Sequence, residues 1–118
     1  MDMAHKKIRR NEATNALRIV TPDKAFHFYR EIGQPLGAAS RSLDEFATIV
    51  NGIDPSSIEF HVGRGDFEGW FKMLGDRSLA DQVAALRGKD ISPDELGVKL
   101  SSMVRTRLNQ LHEIASSE

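Results

Sequence analysis

The stretch SIEFHVGRGDFEGW, Ser57 to Trp70, decides how the chain is read. It combines a histidine, an Arg-Gly-Asp triplet, glycines at 63, 65 and 69, and the only tryptophan. As a phosphate cradle it fails. Such loops bring several amides together and are usually followed by a Lys-Ser/Thr pair; none follows here, and Asp66 repels an anion. As the junction between two helices it is coherent. Gly63 is expected to end one helix, Gly65 to turn the corner and Asp66 to cap the next helix. Phe67, Trp70 and Phe71 then fall on one side as core anchors. His61 is expected to bond at the helix end, to Asp66 or a free carbonyl. His61 and Arg64 are the members of the stretch without a firm structural task, so both are candidate partner-binding residues.

Working outward, the flanking sequence reads as successive helices with clear starts and stops. SLDE at 42–45 is a capping box, in which Ser42 accepts from the Glu45 amide. Gly52 closes that helix. Asp54 followed by Pro55 opens the next, with proline at the first helical position, where its missing N–H costs nothing. Gly75 ends the helix after the junction. SLADQVAALRG gives a further helix, with Ser78 as cap and Gly88 as stop. SPDE at 92–95 opens the last and longest, of roughly 22 residues or about 33 Å. Leu96, Leu100, Met103, Val104, Leu108, Leu111 and Ile114 form its apolar stripe at 3–4 spacing. A domain of this size has a radius of gyration of roughly 13–14 Å. The distal stripe of Leu108, Leu111 and Ile114 is therefore expected to run short of neighbours. Either a partner or the aromatic hairpin described next would cover it.

Ala25 to Ile32 places Phe26, Phe28 and Ile32 on one parity and His27, Tyr29 and Glu31 on the other, which favours a strand. GQPLG at 33–37 supplies turn chemistry. A short hairpin results, and since a lone hairpin is marginal it must lie on helices. Residues 1–21 differ. Lys6, Lys7, Arg9, Arg10 and Arg18 face only Asp2 and Glu12, and the apolar content is too low to predict a packed element. The organisation expected is a basic flexible arm at 1–21 and one mainly α domain at 22–118, with four to five helices, one N-terminal β-hairpin and a long C-terminal helix.

With 118 residues the chain is one domain. Its 16 basic and 17 acidic residues balance to −1, so global charge gives no push toward nucleic acid or membrane. No apolar run approaches the roughly 20 residues of a membrane span. The absence of cysteine excludes disulfides and thiolate metal sites and fits a reducing, cytoplasmic setting. The four histidines, at 5, 27, 61 and 112, have no metal-ligand spacing, so no metal and no cofactor is expected. There is no Gly-x-Ser-x-Gly elbow. The serines and paired carboxylates fall at helix starts, where capping and the helix dipole account for them.

FHFYREIGQPLGAAS, SLDEF, SIEFHVGRGDFEGW and LGDRSLADQV together resemble a small prokaryotic family of unknown function, frequent in archaea. The likeness covers about residues 25–113 and rests on Glu59, Phe60, His61, Arg64, Gly65, Asp66, Phe67 and Trp70. It implies an autonomous domain and brings no activity with it. Gly69 departs from the pattern, which has a longer polar residue there. A helical glycine costs roughly 1 kcal/mol relative to alanine, and this one can mark close approach of another chain or helix.

Three functions compete. The leading expectation is a non-enzymatic interaction or regulatory module that binds a protein partner or a second copy of itself, through the distal stripe and the His61–Arg64 corner. The second is a nucleic-acid- or ribosome-associated protein held by Lys6, Lys7, Arg9 and Arg10, with salt-dependent affinity. The third is a small-ligand site at the Arg-Gly-Asp corner, where Arg64 clamps an anion and His61 handles a proton. It requires a pocket shared by His61, Arg64 and Asp66.

Overall fold

Six helices and one hairpin follow one another along the described residues. They are α1 (Arg10–Ala16), β1 (Phe26–Glu31), β2 (Gln34–Ser40), α2 (Leu43–Val50), α3 (Pro55–Arg64), α4 (Asp66–Leu74), α5 (Arg77–Ala84) and α6 (Pro93–Ser116). The structure is a computed structural model and describes residues 8–117. The mainly α class, the antiparallel hairpin and the long last helix agree with the sequence. The helix count exceeds the expected four to five because α1 is added.

Local chemistry sets most of the helix starts. Ser42 and Ser92 each accept from the amide three residues on, at 3.2 Å. Asp54 accepts from the Ser56 amide at 2.9 Å, with Pro55 beginning α3. Glu45 reaches back one residue further than a capping box requires and accepts from the Arg41 amide at 2.7 Å. At α5 the cap is Asp76 and not Ser78. Its carboxylate accepts from the Leu79 amide at 3.1 Å and from Arg107 of α6 at 2.9 and 3.0 Å, while 1% exposed. Removing one partner of such a buried pair costs about 3–5 kcal/mol, so this pair pins the start of α5 to α6.

The junction between α3 and α4 differs from expectation in two places. Gly63 lies inside α3, and the helix stops at Gly65, whose φ of 79° is left-handed. A left-handed turn ends a helix; a missing side chain alone does not. Gly65 is also the residue before α4, which makes Asp66 the first helical residue rather than the cap, and its carboxylate makes no cap bond. A Cβ on Gly65 would stand 3.1 Å from the Arg87 guanidinium.

The core is aromatic at its centre. Phe26 meets Phe28 at 4.9 Å and Phe67 at 5.0 Å between ring centres, and Phe46 meets Phe67 at 5.2 Å and Phe71 at 5.1 Å. The base of β1 thus plugs the space between α2, α3 and α4, and the Trp70 indole donates to the Lys24 carbonyl at 2.8 Å. The rest of the hairpin projects. Pairing runs Phe26↔Ser40, His27↔Ala39, Tyr29↔Pro35 and Glu31↔Gln34, with two irregularities. The turn is Ile32–Gly33 rather than 33–37. Ile32 therefore leaves the inward parity of Phe26 and Phe28 and is 79% exposed.

The largest correction concerns residues 10–21, expected to belong to a mobile arm. α1 packs along α6 with Ala13 and Ala16 fully buried, and Val20 is buried behind it. Arg10 donates to the Ser117 carbonyl at 2.9 Å, and Arg18 to the Leu74 carbonyl at 2.9 Å. Alanine contributes little to an apolar count, yet it lets two helices approach closely. The same element overturns the expectation for the C-terminal stripe. Leu108 and Leu111 are buried and Ile114 is partly buried, with α1 rather than the hairpin or a partner along the helix.

Ala16→Leu should destabilise the protein by about 1–3 kcal/mol through overpacking, while Asn11→Leu on the exposed face should stay within about 0.5 kcal/mol; urea midpoints compare them. Gly63→Ala should stabilise by about 0.5–1 kcal/mol, because space is open there and the backbone is helical. Gly65→Ala should destabilise by about 1–2 kcal/mol from the left-handed backbone alone. The reverse order of these two in a thermal melt would place the helix end at Gly63.

Candidate functional site

His61 stands on the buried side of α3 with Ser57, Ile58 and Val62, and is 3% exposed. The rings of Phe26, Phe60 and Phe67 approach it at 4.9, 5.0 and 5.3 Å between centres. Both ring nitrogens are engaged. The Tyr29 amide of β1 donates to Nε2 at 2.9 Å, and Nδ1 lies 2.8 Å from the Asp66 carboxylate. An amide has only a proton to give, so Nε2 carries the lone pair and Nδ1 the proton. His61 is thus the neutral Nδ1–H tautomer, accepting from the hairpin and donating to the first residue of α4. Burial pushes its pKa below the ordinary histidine value; Asp66 opposes that shift and Arg64 adds to it.

Asp66 has a second partner. The Nε of Arg64 lies 3.2 Å from the same carboxylate oxygen, and the guanidinium rests over the Phe60 ring at 5.1 Å. Arg64 is half exposed, at 52% of its side chain. One face of the guanidinium is therefore stacked and one edge is tied, while no terminal nitrogen has a hydrogen-bond partner among the described residues.

His61, Arg64 and Asp66 line one open groove of about 630 Å³. Such a volume lies within the roughly 300–1,000 Å³ of binding pockets. α3 supplies Phe60 to one wall, and β1 with its turn supplies Tyr29, Ile32 and Gly33 to the other. α4 adds Gly69, Trp70 and Met73 to the lining, and Asp23 and Lys24 join it from the segment before β1. The groove is mostly apolar, with four charged side chains at its margin. Asp23 accepts from the Thr21 hydroxyl.

Of the residues singled out from sequence, His61 and Arg64 come together here with Asp66. Leu108, Leu111 and Ile114 do not; the first two are buried in the core and Ile114 packs against it. Arg9 and Arg10 sit at the start of α1, and Lys6 and Lys7 lie outside the described residues. Sequence reading missed Phe60, Tyr29, Ile32 and Met73 as groove residues. The signal available for Ile32 was its position beside Gly33, which makes it a turn residue.

The chemistry of the corner is that of a latch. A His–Asp pair resembles part of a nucleophile-activating set, and the buried Ser57 hydroxyl on the same helix face has no bonding partner among the described residues. Nε2 is the one nitrogen able to take a proton, and the Tyr29 amide occupies it. While the hairpin is in place His61 has no lone pair to offer Ser57 or a substrate. Among the described residues no group of three His, Asp or Glu side chains could hold a metal ion, and no helix is long and apolar enough to cross a membrane.

No family model matches the chain, and neither a curated protein nor a solved structure matches it.

The depressed pKa of His61 has a direct consequence for stability. Its contribution is fully present above the unfolded-state value of about 6.5 and is lost as pH falls through the folded-state value. In that window the slope reaches at most about 1.4 kcal/mol per pH unit. His61→Gln should flatten this acid limb when urea midpoints are compared between neutral and mildly acidic pH. An unchanged limb in the variant would assign it to other groups.

Proposed function

We propose that this protein is a non-enzymatic interaction module that docks another protein in the groove between the hairpin and the α3–α4 corner. The observation that carries the reading is the apolar exposure around that groove. Ile32 is 79% and Met73 37% exposed, Phe60 is half-buried, and all three line the same concavity. Large apolar side chains gathered on a concave surface are a usual mark of an interaction site.

Gly69 adds to the case. It is exposed in the middle of α4, where alanine would favour the helix by roughly 1 kcal/mol. Among the described residues, and apart from its chain neighbours and its own helix backbone, nothing lies within 4 Å of the place its Cβ would occupy. No internal packing therefore asks for glycine there, whereas a partner backbone lying in the groove would.

The reading through the basic segment has less behind it. Of Lys6, Lys7, Arg9 and Arg10, the two lysines lie outside the described residues, and Arg10 directs one donor to the Ser117 carbonyl of this chain.

In-cell photo-crosslinking tests the docking reading. A benzophenone side chain at Ile32 should give a discrete protein adduct, and one at Val98, 70% exposed on α6, should give none. Gly69→Leu should remove the Ile32 adduct while leaving the protein folded by circular dichroism. Equal adducts from both positions, or an adduct indifferent to Gly69→Leu, would sink the proposal.

A further inference from the structure

Resting on the docking reading, the geometry points to the class of occupant: an apolar segment of a partner protein carrying a carboxylate side chain, which Arg64 receives. A guanidinium presents a planar fork that binds a carboxylate through two parallel N–H···O bonds. Its usual cost is conformational, because a long flexible side chain must be held still. Here most of that ordering is already done. Asp66 holds Nε at 3.2 Å and Phe60 stacks under the guanidinium at 5.1 Å. The two terminal nitrogens accordingly have no hydrogen-bond partner among the described residues, on a side chain that lines the groove.

Asp66 does not cancel this site. One of its carboxylate oxygens receives the Nδ1–H of His61 and lies 3.2 Å from Arg64 Nε in an ion pair, which leaves the terminal nitrogens of Arg64 without a bond to it. The remaining charges on the groove are Asp23, engaged by the Thr21 hydroxyl, and Lys24 beside it. Of the two cations on the groove, Arg64 and Lys24, Arg64 alone presents a planar fork to a carboxylate, and the apolar remainder of the occupant finds Phe60, Tyr29, Met73 and Ile32. The bare backbone at Gly69 admits the main chain of the occupant between them.

A random peptide library displayed on phage, selected against the whole chain, tests the inference. Enriched peptides should place Asp or Glu beside apolar residues. For a synthetic copy of one of them, acidic-to-amide replacement in the peptide and Arg64→Gln in the protein should each weaken binding about tenfold, the strength of a charge-assisted bond. Combining the two should cost little more than either alone. Arg64 is exposed enough for the variant to fold, which circular dichroism checks. Peptides that need Gly69 but no acidic residue, and bind Arg64→Gln as tightly as wild type, would overturn the carboxylate assignment and leave the docking reading standing. Failure to enrich any peptide would overturn both, as would enriched peptides that bind Gly69→Leu unchanged. So would octanoate shifting groove resonances where no peptide does, because the site would then serve a small carboxylic acid. A concentration-dependent dimer that blocks peptide uptake would put a second copy in the groove and overturn the inference likewise.

Discussion

Nε2 of His61 accepts the Tyr29 amide at 2.9 Å while Nδ1 faces Asp66 at 2.8 Å, and through these two contacts one buried side chain joins three elements. β1 is held on α3, and α3 is held to the first turn of α4. Each bond contributes only about 0.5–1.5 kcal/mol net, but an unpaired buried nitrogen would cost about 1–3 kcal/mol, so all the partners are held to one arrangement. A two-stranded hairpin is marginal alone. This one gains order from Phe26 and Phe28 in the aromatic centre and from the His61 contact just beyond them. The groove exists because its two walls, the hairpin and the α3–α4 corner, are set at a fixed separation by that contact.

Legibility in the sequence followed the range of the interaction. The caps at Ser42, Asp54 and Ser92 were readable because donor and acceptor lie within three residues of each other. Gly65 was readable as a corner because a left-handed turn has few alternatives to glycine. Gly63 was misplaced since a glycine in a helix and a glycine ending one look alike until backbone angles are known. Asp66 followed the preference for acidic caps, but the left-handed Gly65 moved the helix start by one residue and freed the carboxylate for His61. The candidate site was half legible. His61, Arg64 and Asp66 were close in sequence, whereas Tyr29, Ile32 and Met73 reach the groove only through tertiary packing.

Two of the sequence expectations failed for one reason. Residues 10–21 were expected to be mobile because their apolar content is low, and the distal stripe of α6 was then assigned a partner or the hairpin as its cover. The packing of Ala13 and Ala16 against α6 answers both at once. Small residues at a helix seam allow close approach without adding to apolar counts, so composition understates their capacity to pack. Arg18 misled in a similar way, since its charge suggested an exposed arm while its guanidinium binds the carbonyl end of α4. The distal stripe of the long helix is therefore covered within the chain, and the exposed apolar side chains that share one concavity lie elsewhere, at Ile32 and Met73.

That relocation bears on how the groove and the latch influence each other. Protonating Nε2 of His61 requires the Tyr29 amide to leave, since two N–H groups cannot face each other. The hairpin wall is thus tied to the neutral imidazole. An occupant that contacts both walls binds the latched arrangement and not one with the hairpin displaced, and by linkage it must then lower the pKa of His61 further. Acidification must weaken the same occupant by the same free energy. The coupling runs through the loss of one hydrogen bond at the groove's inner edge and the displacement of the hairpin wall that goes with it. It follows from placing a titratable group, rather than an inert one, where the hairpin wall of the groove is held.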